Sequence, residues 1–118
     1  VLTGIQVLVG TTGGTDSWIV ELHGPTGLLL ATSALAGTTA GTLSTWQQIP
    51  FTATYAVTVP GTYFIAVQSN GTTAKLATLN SATNPLFTGS ATGSFGTSAS
   101  ITPPTTYTAN LGPVGYCY

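Results

Sequence analysis

The stretch TWQQIPFTATYAVTVPGTYFIAV, residues 45–67, decides the fold class of this chain. It contains two runs in which aromatic and β-branched residues alternate with polar or small ones, divided by the turn sequence Pro60-Gly61. A period of two places successive side chains on opposite faces of a strand, and β-branched residues fit a pleated surface better than a helix. The stretch therefore predicts two strands of a half-buried β-sheet joined by a turn.

The same alternation extends outward along the chain. It predicts further strands at residues 1–9, 17–23, 28–32, 72–79 and 111–118. In the second of these, Trp18, Val20 and Leu22 share one face and are predicted core residues. Glu21 and His23 share the opposite face, which we expect to be a solvated edge or a subunit contact.

Two short sequences predict tight connections between these strands. Gly24-Pro25-Thr26-Gly27 is a strong hairpin turn. Asn70-Gly71 predicts a type I′ hairpin, because both central positions of such a turn require positive φ. With about eight short strands separated by such turns, the sequence predicts an all-β fold, an antiparallel β-sandwich of jelly-roll type.

A single domain is expected over residues 1–118, and it includes a long irregular segment at residues 80–110. This segment is rich in Ser, Thr, Gly and Pro, and it lacks a clear period. An irregular stretch of this length in a compact domain is usually a functional or interface loop, or it contains two short irregular strands. We expect it to reach across neighbouring subunits.

Only three side chains carry a formal charge, Asp16, Glu21 and Lys75. An ordinary soluble domain is about a quarter charged. One cation cannot neutralise a phosphate backbone, so no nucleic-acid partner is expected. One Cys and one His cannot form a structural zinc site, and no metal or cofactor is expected. Asp16 is expected to cap a turn through backbone amides.

The residues that could perform catalysis do not form a convincing set. Asp16 and Glu21 are five positions apart, and an odd spacing along a strand places side chains on opposite faces, which opposes a glycosidase pair. Ser17, Glu21 and His23 share a face, but neighbours on one face of a strand lie about 7 Å apart at Cβ, too far for a triad. We expect the protein not to be an enzyme.

Apolar runs are too short to span a bilayer as a helix, so no membrane partner is expected. The chain begins with Val1 and not Met, which we expect of a processed chain or of the ordered part of a longer one. Cys117 has no internal disulfide partner; it is either a buried inert thiol or half of an intermolecular bridge.

Aromatic residues could bind a glycan by stacking on it, next to amide and hydroxyl side chains. The candidates are Trp18, Trp46, Tyr55, Tyr63, Tyr107, Tyr116 and Tyr118. Trp18 belongs to a predicted core face, whereas Trp46 opens a strand and lies either across the core or at the surface. As glycan or subunit contacts we select Trp46, Tyr107, Phe87 and Phe95.

Residues 45–67, together with residues 18–33, WIVELHGPTGLLLATS, resemble jelly-roll modules on the virions of tailed bacteriophages. The shared scheme is a strand, a Gly turn, Leu-Leu-Ala-x-Ser, a Trp entering a strand, and Pro-Gly-Thr-Tyr-Phe-Ile-Ala-Val. The similarity covers about residues 15–79. It implies a head decoration, head fibre or tail fibre protein, commonly a trimer, which in some cases contacts host glycans.

Composition and resemblance together predict a non-enzymatic structural virion protein that assembles through neutral, hydroxyl-rich interfaces. Its expected partners are copies of itself, with a trimer favoured, other capsid or tail proteins, and host glycans. The alternatives are an extracellular carbohydrate-binding or adhesion module and a subunit of a cell-surface filament. Exposed aromatic residues beside Asn or Gln would favour the carbohydrate-binding alternative.

Overall fold

The computed structural model describes residues 1–80 and 87–118, and this part of the chain is all-β. Seven strands lie within it, where about eight were expected. They are β1 (Leu2–Leu8), β2 (Ser17–His23), β3 (Leu29–Thr32), β4 (Thr38–Thr39), β5 (Trp46–Tyr55), β6 (Phe64–Ser69) and β7 (Gly115–Cys117). No helix in the described residues is long and apolar enough to cross a membrane.

The strands form two antiparallel sheets. The first has the order β5-β1-β7, with β1 paired to both neighbours. In the second sheet β2 is central, and β6 pairs with it from Trp18 to His23. The short strands β3 and β4 share the other edge of β2, one at each end.

The core lies between the two sheets, which confirms the predicted β-sandwich. Trp18, Val20 and Leu22 lie in it, as the alternation predicted. The inward residues of the first sheet pack against them: Ile5, Val7, Val9, Ile49 and Phe51. Burial of apolar side chains of this size contributes roughly 1.5–3 kcal/mol each relative to exposure.

The connection Gly24–Gly27 is the predicted turn between β2 and β3. The Gly27 amide donates to the Gly24 carbonyl at 2.9 Å, and the Gly24 amide donates to the Leu28 carbonyl at 2.9 Å. Gly27 has a φ of +83°, a left-handed conformation that glycine adopts without steric cost. The hairpin prediction is therefore confirmed at this position.

The predicted hairpin at Asn70-Gly71 is wrong. Neither residue has a positive φ, so no type I′ turn forms, and residues 72–79 contain no strand. After Gly71 the chain crosses to the other sheet, where Leu76 pairs with Val9 in an isolated bridge. The local turn signal is overridden because Asn70 and Gly71 serve contacts with residues distant in sequence.

Those distant residues are Asp16 and Ser17. The Ser17 amide donates to Asn70 Oδ1 at 2.8 Å. Asp16 Oδ2 accepts from the amides of Thr73 and Ala74 at 2.7 and 2.8 Å. Asp16 is thus a cap, as expected, but of a loop more than fifty residues further along the chain.

Residues 87–110 are irregular, as predicted, and contain no strand. The Ile101 amide donates to the Gly27 carbonyl at 2.9 Å and the Leu29 amide donates to Ser100 Oγ at 3.4 Å, so this part of the segment lies against the β2–β3 turn and the start of β3. The remaining residues of the predicted segment, 81–86, lie outside the described part.

Candidate functional site

The three charged side chains occupy very different positions. Glu21 is buried beside His23, and the Asp16 carboxylate is half-buried and accepts two backbone N–H bonds. Lys75 is the one exposed charged side chain, and the described residues include every charged residue of the sequence. The surface of the described residues is therefore almost free of side-chain charge.

Glu21 and His23 form a buried pair on the face of β2 that points away from the core. His23 Nε2 lies 3.1 Å from Glu21 Oε2, and His23 Nδ1 lies 3.2 Å from the Gly27 carbonyl oxygen. Both ring nitrogens therefore lie within hydrogen-bond distance of an oxygen atom. The prediction that this face is a solvated edge or a subunit contact is wrong, because the chain's own irregular segment covers it.

Gln68 on β6 joins this pair to the covering segment. Its Nε2 donates to Glu21 Oε1 at 2.8 Å and to the Thr97 carbonyl at 2.7 Å. Burial alone raises the pKa of Glu21, but hydrogen bonds from His23, Ser98 and Gln68 and the charge of His23 outweigh it. The pKa of Glu21 therefore lies below its usual value of 4.5. A carboxylate held ionised by these donors fastens residues 97 and 98 to the sheet.

A second group of side chains lies on the outer face of the first sheet. We call it the aromatic–amide face: Gln6, Trp46, Gln48, Tyr116 and Tyr118. The ring centroids of Trp46 and Tyr116 are 5.3 Å apart at an interplanar angle of 62°, an edge-to-face pair. Their side chains are 45% and 49% exposed. The structure therefore places Trp46 at the surface and not across the core.

The strand register brings these residues together. Gln6 lies opposite Gln48 on one side and Tyr116 on the other, while Leu8 lies opposite Trp46. The Tyr116 hydroxyl donates to Gln6 Oε1 at 2.9 Å. In the sequence, Tyr116 is one of seven candidate aromatic residues with nothing to distinguish it. Its pairing with Trp46 depends on which strands become neighbours, and that information is not local.

The other selected residues lie in the irregular segment. Phe87 is 47% exposed, whereas Phe95 and Tyr107 are half-buried. Phe87 and Phe95 line a groove of about 750 Å³ between this segment and β6. The Tyr107 hydroxyl donates to the Leu79 carbonyl at 3.2 Å. The structure does not bring these three residues onto the aromatic–amide face.

Cys117 lies on β7 and packs partly against the core. Burial raises the pKa of its thiol. A raised pKa keeps the thiol protonated, and a protonated thiol is a poor nucleophile. This environment favours the interpretation of Cys117 as an inert thiol over its interpretation as a reactive cysteine.

A third surface lies at one end of the sandwich, where the β2–β3 turn meets the β5–β6 loop. Gly61 lies against the ring of Pro25 there. Leu28 in the β2–β3 turn exposes 56% of its surface, and Val57 and Val59 in the β5–β6 loop expose 47% and 61%. We call this group the apolar end.

No protein-family model, no curated protein and no solved structure matches the chain.

Proposed function

We propose that this chain is a non-enzymatic structural module of a bacteriophage virion, of the capsid-decoration or fibre type, which assembles with copies of itself. The observation that carries the proposal is the nearly uncharged surface: of the charged side chains, Glu21 is buried, Asp16 is engaged by backbone amides, and Lys75 alone is exposed. A net charge near zero promotes association, because copies of the chain do not repel one another.

The apolar end is the surface that we assign to this assembly. Its three exposed aliphatic side chains come from two loops in mutual contact, and no charged residue occurs in residues 24–28 or 56–62. Covering them with a second copy removes apolar surface from water without desolvating any ion. The irregular segment is less suited to this role than the sequence predicted, since residues 97 to 101 already lie on the chain's own sheet.

Association through a neutral surface is expected to depend little on salt concentration. Interfaces between charged surfaces weaken or strengthen with ionic strength, whereas neutral ones change little. We therefore expect the purified chain to form an oligomer, with a trimer favoured, whose dissociation constant is nearly the same in low and high salt. Sedimentation equilibrium across a range of protein concentrations measures both quantities.

A matched pair of variants tests the surface. Val59→Asp places a charge in the apolar end and is expected to shift the oligomer towards monomer. Thr58→Asp introduces the same charge at the adjacent exposed position, and it is expected to have the smaller effect. A wild-type chain that remains monomeric at high concentration, or an equal response to both variants, would reject this assembly surface.

The place of the chain in a virion needs a separate observation. Gold-labelled antibodies against the folded chain, viewed on native particles by electron microscopy, are expected to decorate the head or the fibres. Labelling of a bacterial surface or of cell filaments would instead support one of the extracellular alternatives.

A further inference from the structure

The aromatic–amide face has features that assembly at the apolar end does not explain. Trp46 and Tyr116 lie on strands to either side of β1 and hold each other edge to face. About half of each side chain is open to solvent, and neither side chain belongs to the core. Tyr118 adds a third ring above Gly4, where the missing Cβ lets its phenol lie close to the strand.

Hydrogen bonds fix the orientation of these groups. Gln6 Oε1 accepts from the Tyr116 hydroxyl at 2.9 Å and from Gln48 Nε2 at 3.4 Å. Two donors, Gln48 on β5 and Tyr116 on β7, therefore bond the same acceptor on the central strand β1. Gln6 Nε2 and Gln48 Oε1 have no hydrogen-bond partner among the described residues, so a donor and an acceptor remain available beside the rings.

We propose that the aromatic–amide face binds a neutral oligosaccharide. The flat rings of Trp46 and Tyr116 can contact the C–H face of a sugar, while Gln6 Nε2 and Gln48 Oε1 can bond its hydroxyls. No charged side chain belongs to the face, so charge complementarity selects an uncharged ligand over an acidic one. Because the rings and amides are held in place before binding, little conformational entropy is lost when the sugar arrives.

The size of the face favours a glycan over a second protein copy. Three strands spaced about 4.8 Å apart, over five residues of about 3.4 Å each, present roughly 240 Å². A stable protein interface buries about 800 Å² on each partner. Its area corresponds to a ligand of a few sugar rings, whereas a protein copy bound there would have to bury further surface outside the face.

Intrinsic fluorescence provides a specific readout, since the chain has only two tryptophans. Trp18 is 1% exposed in the core, whereas Trp46 is 45% exposed. A fluorescence change on adding neutral oligosaccharides, first identified on a glycan array, is expected to arise from Trp46. Trp46→Phe is expected to abolish this change and leave the emission of Trp18.

Affinity measurements on variants complete the test. Trp46→Ala is expected to weaken glycan binding by roughly tenfold or more, the effect typical of an aromatic anchor. Tyr116→Phe, which removes only the hydroxyl that bonds Gln6, is expected to weaken it less. Phe87→Ala is the control, because Phe87 is equally exposed but lies outside the face. Far-ultraviolet circular dichroism verifies the fold of each variant.

Two results would overturn the proposal. One is the absence of neutral-glycan binding by the folded wild-type chain on the array and in the fluorescence titration. The other is a change of oligomeric state in Trp46→Ala with no glycan involved, which would make the face a subunit contact. The assembly proposal fails separately, through Val59→Asp, so the two failures are distinguishable.

Discussion

The buried pair of Glu21 and His23, 3.1 Å apart at Oε2 and Nε2, is one of the points at which the irregular segment is fastened to the sandwich. The two residues are 3% and 0% exposed in a chain with only two acidic side chains. Desolvating such groups is unfavourable unless they are paired and hydrogen-bonded, and here Gln68 and the Gly27 carbonyl provide the additional bonds. The pair consequently links the β2–β3 turn, β6 and residues 97–98.

Stability should decrease in acid because of Glu21. Its pKa is lower in the folded chain than its usual 4.5, so the folded state favours the ionised carboxylate. The corresponding stabilisation is complete above about pH 4.5 and is lost as the pH falls through the lower folded pKa. Urea unfolding at a series of pH values measures this loss. Glu21→Gln is expected to flatten the curve in this window, and an unchanged slope in that variant would contradict the assignment.

Replacing Gln68 by Glu should release the covering segment. The new carboxylate has nearly the same shape, but it would face Glu21 and the Thr97 carbonyl, both of which are acceptors. We expect faster hydrogen exchange at residues 94–101 in Gln68→Glu. Gln48→Glu adds the same charge on the exposed outer face of β5 and should leave that exchange unchanged. Equal protection of the segment in both variants would show that Gln68 does not hold it.

The sequence predicted what depends on local alternation and missed what depends on distant contacts. Trp18, Val20 and Leu22 were identified as core because apolar side chains recur at a period of two along one strand. The same rule is sufficient to predict that Trp46 is exposed, because Ile49 and Phe51 occupy the opposite, inward face of β5. The burial of Glu21 could not be predicted in this way, since the segment that covers it has no periodic pattern.

Gly71 should be intolerant of a side chain even though its φ is not positive. A Cβ at this position would collide with the carboxylate of Asp16. We expect Gly71→Ala to reduce the free energy of unfolding by about 1–3 kcal/mol, the usual cost of overpacking. Gly93→Ala is the matched control, because no heavy atom lies within 4 Å of a Cβ there, and its effect should remain within about 0.5 kcal/mol.

A double-mutant cycle identifies the carboxylate as the cause. In an Asp16→Ala background the colliding atoms are absent, so Gly71→Ala should lose most of its additional effect. Simple additivity of the two substitutions in urea unfolding would mean that Gly71 is required for some other reason.

A comparison of Gly27→Ala with Gly96→Ala distinguishes the effect of backbone strain from that of steric collision. Both have positive φ, +83° and +87°, so alanine is strained by about 1–2 kcal/mol at either position. At Gly27 a Cβ would also collide with the Ile101 carbonyl, whereas at Gly96 its nearest neighbour, the Leu35 carbonyl oxygen, is 3.7 Å away. Gly27→Ala should therefore lower the free energy of unfolding more than Gly96→Ala does.

The place at which Gly27→Ala loosens the structure is as informative as the decrease in its free energy of unfolding. The Gly27 carbonyl accepts from the Ile101 amide and faces His23 Nδ1, so displacing this turn should disturb both contacts at once. We expect Gly27→Ala to increase hydrogen exchange at Ile101 and to shift the NMR signals of the His23 ring, changes that Gly96→Ala should not produce. If the two variants matched in stability and in exchange at Ile101, the irregular segment would not be docked against the β2–β3 turn, because strain alone would then account for both.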